Sequence, residues 1–446
     1  MSETTGTNVR FYQRSISWIL VNSEKYLPAL SVAFFILGTV IGQVSVTFSE
    51  MVDTGMSWLI GGYGIITPII NYLVLGSSLI KILAVKGAKG ARFVQYAIVF
   101  LAKIKLVACI WAAIFTALVF GLPLISPDTV AAGMSNSILE VLKSFGRTFI
   151  SSTAYWAIYA AVLTAIFRAR LGRITTYLEG FADGMGRVGN YFVPFVPLLM
   201  LVVGTYVVHL PTIINNEVDG IENAALGSLS MAMFTVDTNT ATGMITAYVI
   251  GALLTGLGCA IWHSGLLLFA KYRTGDFSIK YYLKNYWSRV STMLWATSSE
   301  DMTMPLSLHL LKKYYPRLKA EVANFIVGIG QFDLNGTTIC VFVTTGLVAT
   351  ILNYQLSFLQ LLILVPLAFV LGYAVPGIPG ELVLYAAPIA SVLAIPPEIA
   401  PSFLILYIGL QIGLPDSFRT VTNSTDSAVA TILLNERYEG GLEDGE

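Results

Sequence analysis

Long apolar runs dominate this chain. They lie near 27–48, 57–84, 93–122, 151–167, 190–211, 243–270, 320–352, 356–395 and 400–434. A helix that crosses a bilayer needs about 20 mostly apolar residues. The pattern therefore predicts an all-α polytopic membrane protein in which several runs, too long for one span, fold back or break. Two runs carry polar residues in their middle. QFDLNGTTIC, residues 331–340, interrupts an apolar segment, and DSFRTVTNSTD, residues 416–426, lies within the last one. Polar, irregular backbone at membrane depth is tolerated only where it is buried in protein or lines a cavity. Such interruptions mark a transporter's midplane site.

Composition agrees with the pattern. Of 446 residues 55% are hydrophobic and 12% charged, and the mean hydropathy is +0.73, beyond the range of a water-soluble domain this size. A net charge of zero offers nothing to a nucleic acid. The polar start, MSETTGTNVRFYQRS, lacks the apolar core of a signal peptide. Cys109, Cys259 and Cys340, at unrelated spacings in apolar segments, read as buried thiols. His209, His263 and His309 are scattered and read as packed or interfacial.

The placement of charge gives a topology. Lys86, Lys89 and Arg92 follow the second run, and Arg168, Arg170 and Arg173 follow the fourth. Lys271, Arg273, Lys280, Lys284 and Arg289 follow the sixth, and Lys312, Lys313, Arg317 and Lys319 precede the seventh. LPLISPDTVAAGMSN and LPTIINNEVDGIENAALGS hold no Lys or Arg. The positive-inside rule puts both termini and the basic loops in the cytoplasm. Eight spanning helices satisfy this only with two re-entrant hairpins. STMLWATSSEDMTMPLSLHLL, with bases on both flanks, enters from the cytoplasm. The run 356–395, with AVPGIPGEL at its centre and no bases beside it, enters from outside. Each hairpin precedes a segment with a polar middle, so the C-terminal half reads as an inverted repeat.

Four motifs in order now carry a resemblance: TSSEDMTMP at 297–305, DLNGT at 333–337, IPGEL at 378–382 and DSFRTVTNSTD at 416–426. In sequence and spacing they resemble the glutamate transporter family, the dicarboxylate/amino acid:cation symporters, over about 190–435. The resemblance implies an elevator-type homotrimer in the plasma membrane. Its scaffold would comprise residues 1–92 and 126–228, with the latter also trimerising. Its transport domain would comprise 93–125 and 229–435, and 436–446 would form a cytoplasmic tail. It also implies a small-molecule solute and a bound Na+ or H+ as coupling ion, with no other cofactor.

The implied roles fall on particular residues. Arg419 would pair a substrate side-chain carboxylate, Asp416 its ammonium and Asn423 its main-chain carboxylate. Thr337, Ser299 and Gly380 would complete the solute contacts. Asp333, Asn335, Asn423 and Asp426 would ligate the cation. The chemistry agrees, because a guanidinium offers a bidentate fork and oxygen donors suit Na+. This chain also departs from the family. The acid and amide of DLNGT are exchanged, Asp426 is displaced by one residue, and Glu300 and Asp301 replace hairpin serines. In the second tip Glu381 and Leu382 replace small residues. Lys103 and Lys105 lie inside the third apolar run, and Lys105 is a candidate partner of Asp333 and surrogate for one cation. Lys105, Glu300 and Asp301 are thus candidates for charge compensation or coupling.

The expected function is cation-coupled symport of an amino acid such as aspartate or glutamate. Transport of a dicarboxylate or of a neutral or cationic amino acid, with proton or altered cation coupling, is the alternative, as is an ion channel on the same fold. No HExxH, GxSxG or G-x-G-D pattern points to an enzyme.

Overall fold

In this computed structural model the described residues are 29–30, 32–45, 51, 72, 89–125, 153–167, 170–173, 177, 201–202, 204–205, 208, 228–231, 234–238, 240–298, 300–330, 335–373 and 383–440. Their helices are α1 Val32–Val44, α2 Lys89–Phe120, α3 Thr153–Ile166 and α4 Ala241–Thr274. Next, α5 Ile279–Tyr282 runs through a π turn, Leu283–Trp287, into α6 Ser288–Thr297. Then come α7 Glu300–Tyr314, α8 Ala320–Gly330, α9 Asn335–Ile351, α10 Phe358–Leu371, α11 Val383–Val392, α12 Ala400–Gly409 and α13 Leu414–Gly440.

Three stretches among the described residues are long and apolar enough to cross a membrane: α2, α4 and Ala320–Ile351, which holds α8 and α9. On α2, Leu106, Val107, Ile110 and Ile114 are exposed, and on α4 Leu253, Leu257, Ile261 and Leu268 are. Each helix buries an apolar face and leaves another uncovered, the pattern of a helix in contact with lipid or a further membrane segment.

The described residues are mostly helical, as expected of an all-α membrane protein, with one short ribbon: before α4, β1 Ser228–Met231 and β2 Phe234–Asp237 pair antiparallel, Ser228 opposite Asp237 and Met231 opposite Phe234. β1 lies against α9 and β2 against α4. The run 400–434 is two helices, α12 and α13. Gly413, at φ 83°, makes the turn between them in the left-handed region that glycine enters freely. The expected break in DLNGT, at 331–334, and the second hairpin tip, at 374–382, lie outside the described residues.

The architecture centres on α13, which packs on α4, α6, α7, α8 and α9. A solvated helix would turn its polar face to water. Here Asp416, Ser417, Arg419, Thr420, Thr422, Asn423, Ser424, Thr425, Asp426 and Ser427 are all buried. Most of the hydroxyls satisfy themselves. Thr422, Thr425, Ser427 and Thr431 donate to the carbonyls of Phe418, Val421, Asn423 and Ser427, one turn back. That leaves Asp416, Arg419, Asn423 and Asp426 to pair within the stripe and with other helices. At about 100° per residue these four occupy one stripe. Tyr248 of α4 anchors its start, donating to the Ile412 carbonyl at 2.7 Å and accepting from the Leu414 amide at 2.7 Å.

Candidate functional site

Helix α9 brings its N-terminus to the stripe on α13. Glycine at 336 makes this approach possible, because a Cβ there would run into the Arg419 carbonyl and the Thr422 side chain. The next residue completes a network. The Thr337 amide donates to Asn423 Oδ1 at 3.1 Å, and Asn423 Nδ2 donates to Thr337 Oγ1 at 3.0 Å. Arg419 Nη1 donates to the same hydroxyl at 2.6 Å. Arg419 Nη2 pairs with Asp416 Oδ1 at 2.5 Å, and both side chains are at most 2% exposed. One guanidinium, one carboxylate, one carboxamide, one hydroxyl and the start of α9 thus converge in a dry setting. Their chemistry suits a carboxylate beside an ammonium, because the guanidinium and N-terminal amides favour an anion and Asp416 a cation.

Gly336→Ala is expected to move α9 off α13 and disrupt this network. The thermal midpoint of the purified variant should fall by an amount equivalent to about 1–3 kcal/mol, as overpacking typically costs. An unchanged midpoint would show that the approach is not tight.

Asp426 belongs to a second cluster, one helical turn along. Its Oδ2 accepts from Trp262 Nε1 at 2.7 Å and from Asn335 Nδ2 at 3.1 Å. Its Oδ1 accepts from His263 Nδ1 at 2.7 Å. The carboxylate only accepts, so the His263 proton sits on Nδ1. Trp262 and His263 are absent from the candidates that the sequence suggests. The available signal was a histidine in the apolar run 243–270, where a polar side chain requires a partner.

The first hairpin reaches the same helix. Ser298 ends α6 in the left-handed conformation, φ 47°, and its hydroxyl lies 2.9 Å from that of Ser417. The neighbouring candidate Ser299 lies outside the described residues. Glu300 is not turned to solvent, being 3% exposed at the start of α7. Asp301 falls on α7 with its side chain outside what is described, and Asp333 and Gly380 are also outside the described residues. Lys105 is fully buried and donates to the Gly372 carbonyl at 2.6 Å. Of the other histidines His309 is exposed, and His209 lies outside the described residues.

Comparison with curated proteins returned no match. A family model, described as the sodium:dicarboxylate symporter family, matches residues 221–437. That stretch runs from just before β1 to the last turn of α13 and holds every element of the two clusters above. Over that stretch, just under half of the chain, the sequence is similar to the sodium:dicarboxylate symporter family.

Proposed function

We propose that this multi-pass membrane protein is a cation-coupled symporter of a small acidic amino acid, aspartate or glutamate. The observation that carries the reading is the fully buried Arg419 guanidinium, held between Asp416 and Thr337 beside Asn423. An ionic group is costly at membrane depth and is retained where it serves a solute or ion path. The Arg419–Asp416 pair neutralises both charges within the protein. An acidic amino acid then exchanges that single pair for two, its side-chain carboxylate on Arg419 and its ammonium on Asp416, so that opening the pair is compensated by the solute.

Ser299 and Gly380 complete the solute seat in this proposal. Asp333, Asn335 and Asn423 supply cation ligands, while Asp426 orients Asn335. Residues 93–125 and 229–435 form the moving domain, and 1–92 and 126–228 the scaffold. The eight spanning helices, two re-entrant hairpins, homotrimeric elevator arrangement, cytoplasmic termini and plasma-membrane location are part of the same reading. The family-model match over residues 221–437 is the support for a symporter rather than an enzyme.

The test is uptake of labelled amino acids and dicarboxylates into liposomes under a Na+ gradient, a proton gradient or neither. Na+-driven aspartate or glutamate uptake is the expected result, and Asp333→Asn should alter its Na+ dependence. Uptake confined to neutral or cationic solutes would overturn the role of Arg419. Proton-driven uptake would instead select proton coupling.

A further inference from the structure

We propose that the Lys105 ammonium is a tethered cation. It fills a seat at the carboxyl end of α10 that a free monovalent cation takes when the ammonium is removed. Lys105 lies on the buried stripe of α2 with Leu101, Ala108, Cys109 and Ala112, where an apolar residue would be expected. Lys103, two positions away, is exposed. Lys105 is therefore not a side chain reaching for water, and its own exposure is 0%.

Its surroundings are those of a cation seat. The Gly372 carbonyl, at the C-terminal cap of α10, accepts from Nζ at 2.6 Å, and the Tyr373 ring presents its face with the centroid 3.9 Å away. The last carbonyls of a helix have no intrahelical donor and carry the negative end of its dipole. Away from water, that end requires a cation or a donor, and an aromatic face adds to the attraction. The ammonium also packs closely on position 372, where a Cβ would meet Lys105 Cε and Nζ.

The connection spans the length of two helices. The amides of Phe358 and Leu359, at the start of α10, donate to the carbonyls of Pro123 and Leu124, just after α2. Lys105, about 15 residues before the end of α2, meets the opposite end of α10, so the helices run antiparallel with ties at both ends. A buried ion adds little stability that a well-packed apolar residue would not give. The charge is therefore kept for what it does at the helix end. If the symport reading above holds, the tethered ammonium also removes the need for one mobile cation.

The experiment compares the purified full-length wild type with Lys105→Met and Lys105→Arg. Thermal midpoints are measured in NaCl, KCl, methylammonium chloride and choline chloride at equal ionic strength. Lys105→Met is expected to gain a larger rise in midpoint with a small cation, relative to choline, than wild type does, and Lys105→Arg to behave as wild type. Equal cation responses of Lys105→Met and wild type would overturn the proposal. If Lys105→Met does not fold, Lys105→Gln, which removes the charge and leaves the Gly372 carbonyl and Tyr373 ring in place, must show the same enlarged response. A wild-type response from Lys105→Gln would equally overturn the proposal. In liposomes, the Na+ needed for half-maximal uptake should rise by roughly tenfold in Lys105→Met. If wild type takes up none of the panel, the symport reading fails, while the thermal comparison still decides this one.

Discussion

Arg419→Ala is expected to lower the kcat/KM for aspartate or glutamate uptake by about 10²–10³-fold. Truncating one partner of a buried, hydrogen-bonded charge pair typically costs 2–5 kcal/mol, or tenfold for each 1.4 kcal/mol. The same change leaves Asp416, 2% exposed, without its cation. A stability loss of about 3–5 kcal/mol is then expected as well. Stability and recognition are separated by the double variant Asp416→Asn/Arg419→Gln. It removes both charges, keeps hydrogen-bonding groups of similar size and should recover most of the thermal midpoint while still failing to take up an acidic amino acid. Full uptake by the double variant would remove Arg419 from the solute seat. Asp416→Asn alone discriminates further. It frees the guanidinium and removes the ammonium's partner, so competition by a dicarboxylate lacking an ammonium should strengthen relative to that by aspartate.

The stripe on α13 was legible because its residues are close in sequence. Asp416, Arg419 and Asn423 share a helix face whatever surrounds them, and DLNGT marks its partner as a glycine-bearing polar interruption in an apolar run. What was not legible depends on distant partners. Asp426 meets Trp262 and His263 from a helix 164 and 163 residues earlier, and spacing alone encodes no such register. Lys105 donates to a main-chain carbonyl 267 residues away, and a carbonyl has no signature in sequence. The β1–β2 ribbon, only four residues per strand, is too short for its alternation to stand out. Ser298, whose left-handed backbone turns its hydroxyl onto Ser417, was not singled out by the motif either, because that contact again depends on a distant helix.

Asp426 yields the second large effect, and it separates two roles. As a cation ligand, the role implied by resemblance, it would offer an oxygen to a metal ion. In the structure its two oxygens accept from Trp262, His263 and Asn335, and so tie α4 to the start of α9. Asp426→Ala leaves two buried donors, on His263 and Asn335, and the half-buried Trp262 N–H without this acceptor. At about 1–3 kcal/mol for each buried unsatisfied group, the expected loss of stability is roughly 2–6 kcal/mol, a large share of a typical protein's total. Asp426→Asn is the informative variant. Its single amide oxygen serves at most part of the donor set, and its NH2 must face another N–H donor. Its thermal midpoint should therefore fall by the equivalent of about 1–3 kcal/mol. Measured in liposomes below that midpoint, its Na+ dependence should match wild type, whereas that of Asp333→Asn should not. A shifted Na+ dependence in Asp426→Asn with an unchanged midpoint would assign Asp426 to the ion instead. The cluster predicts the opposite, because a cation at Asp426 would have to displace N–H donors from three residues on two helices.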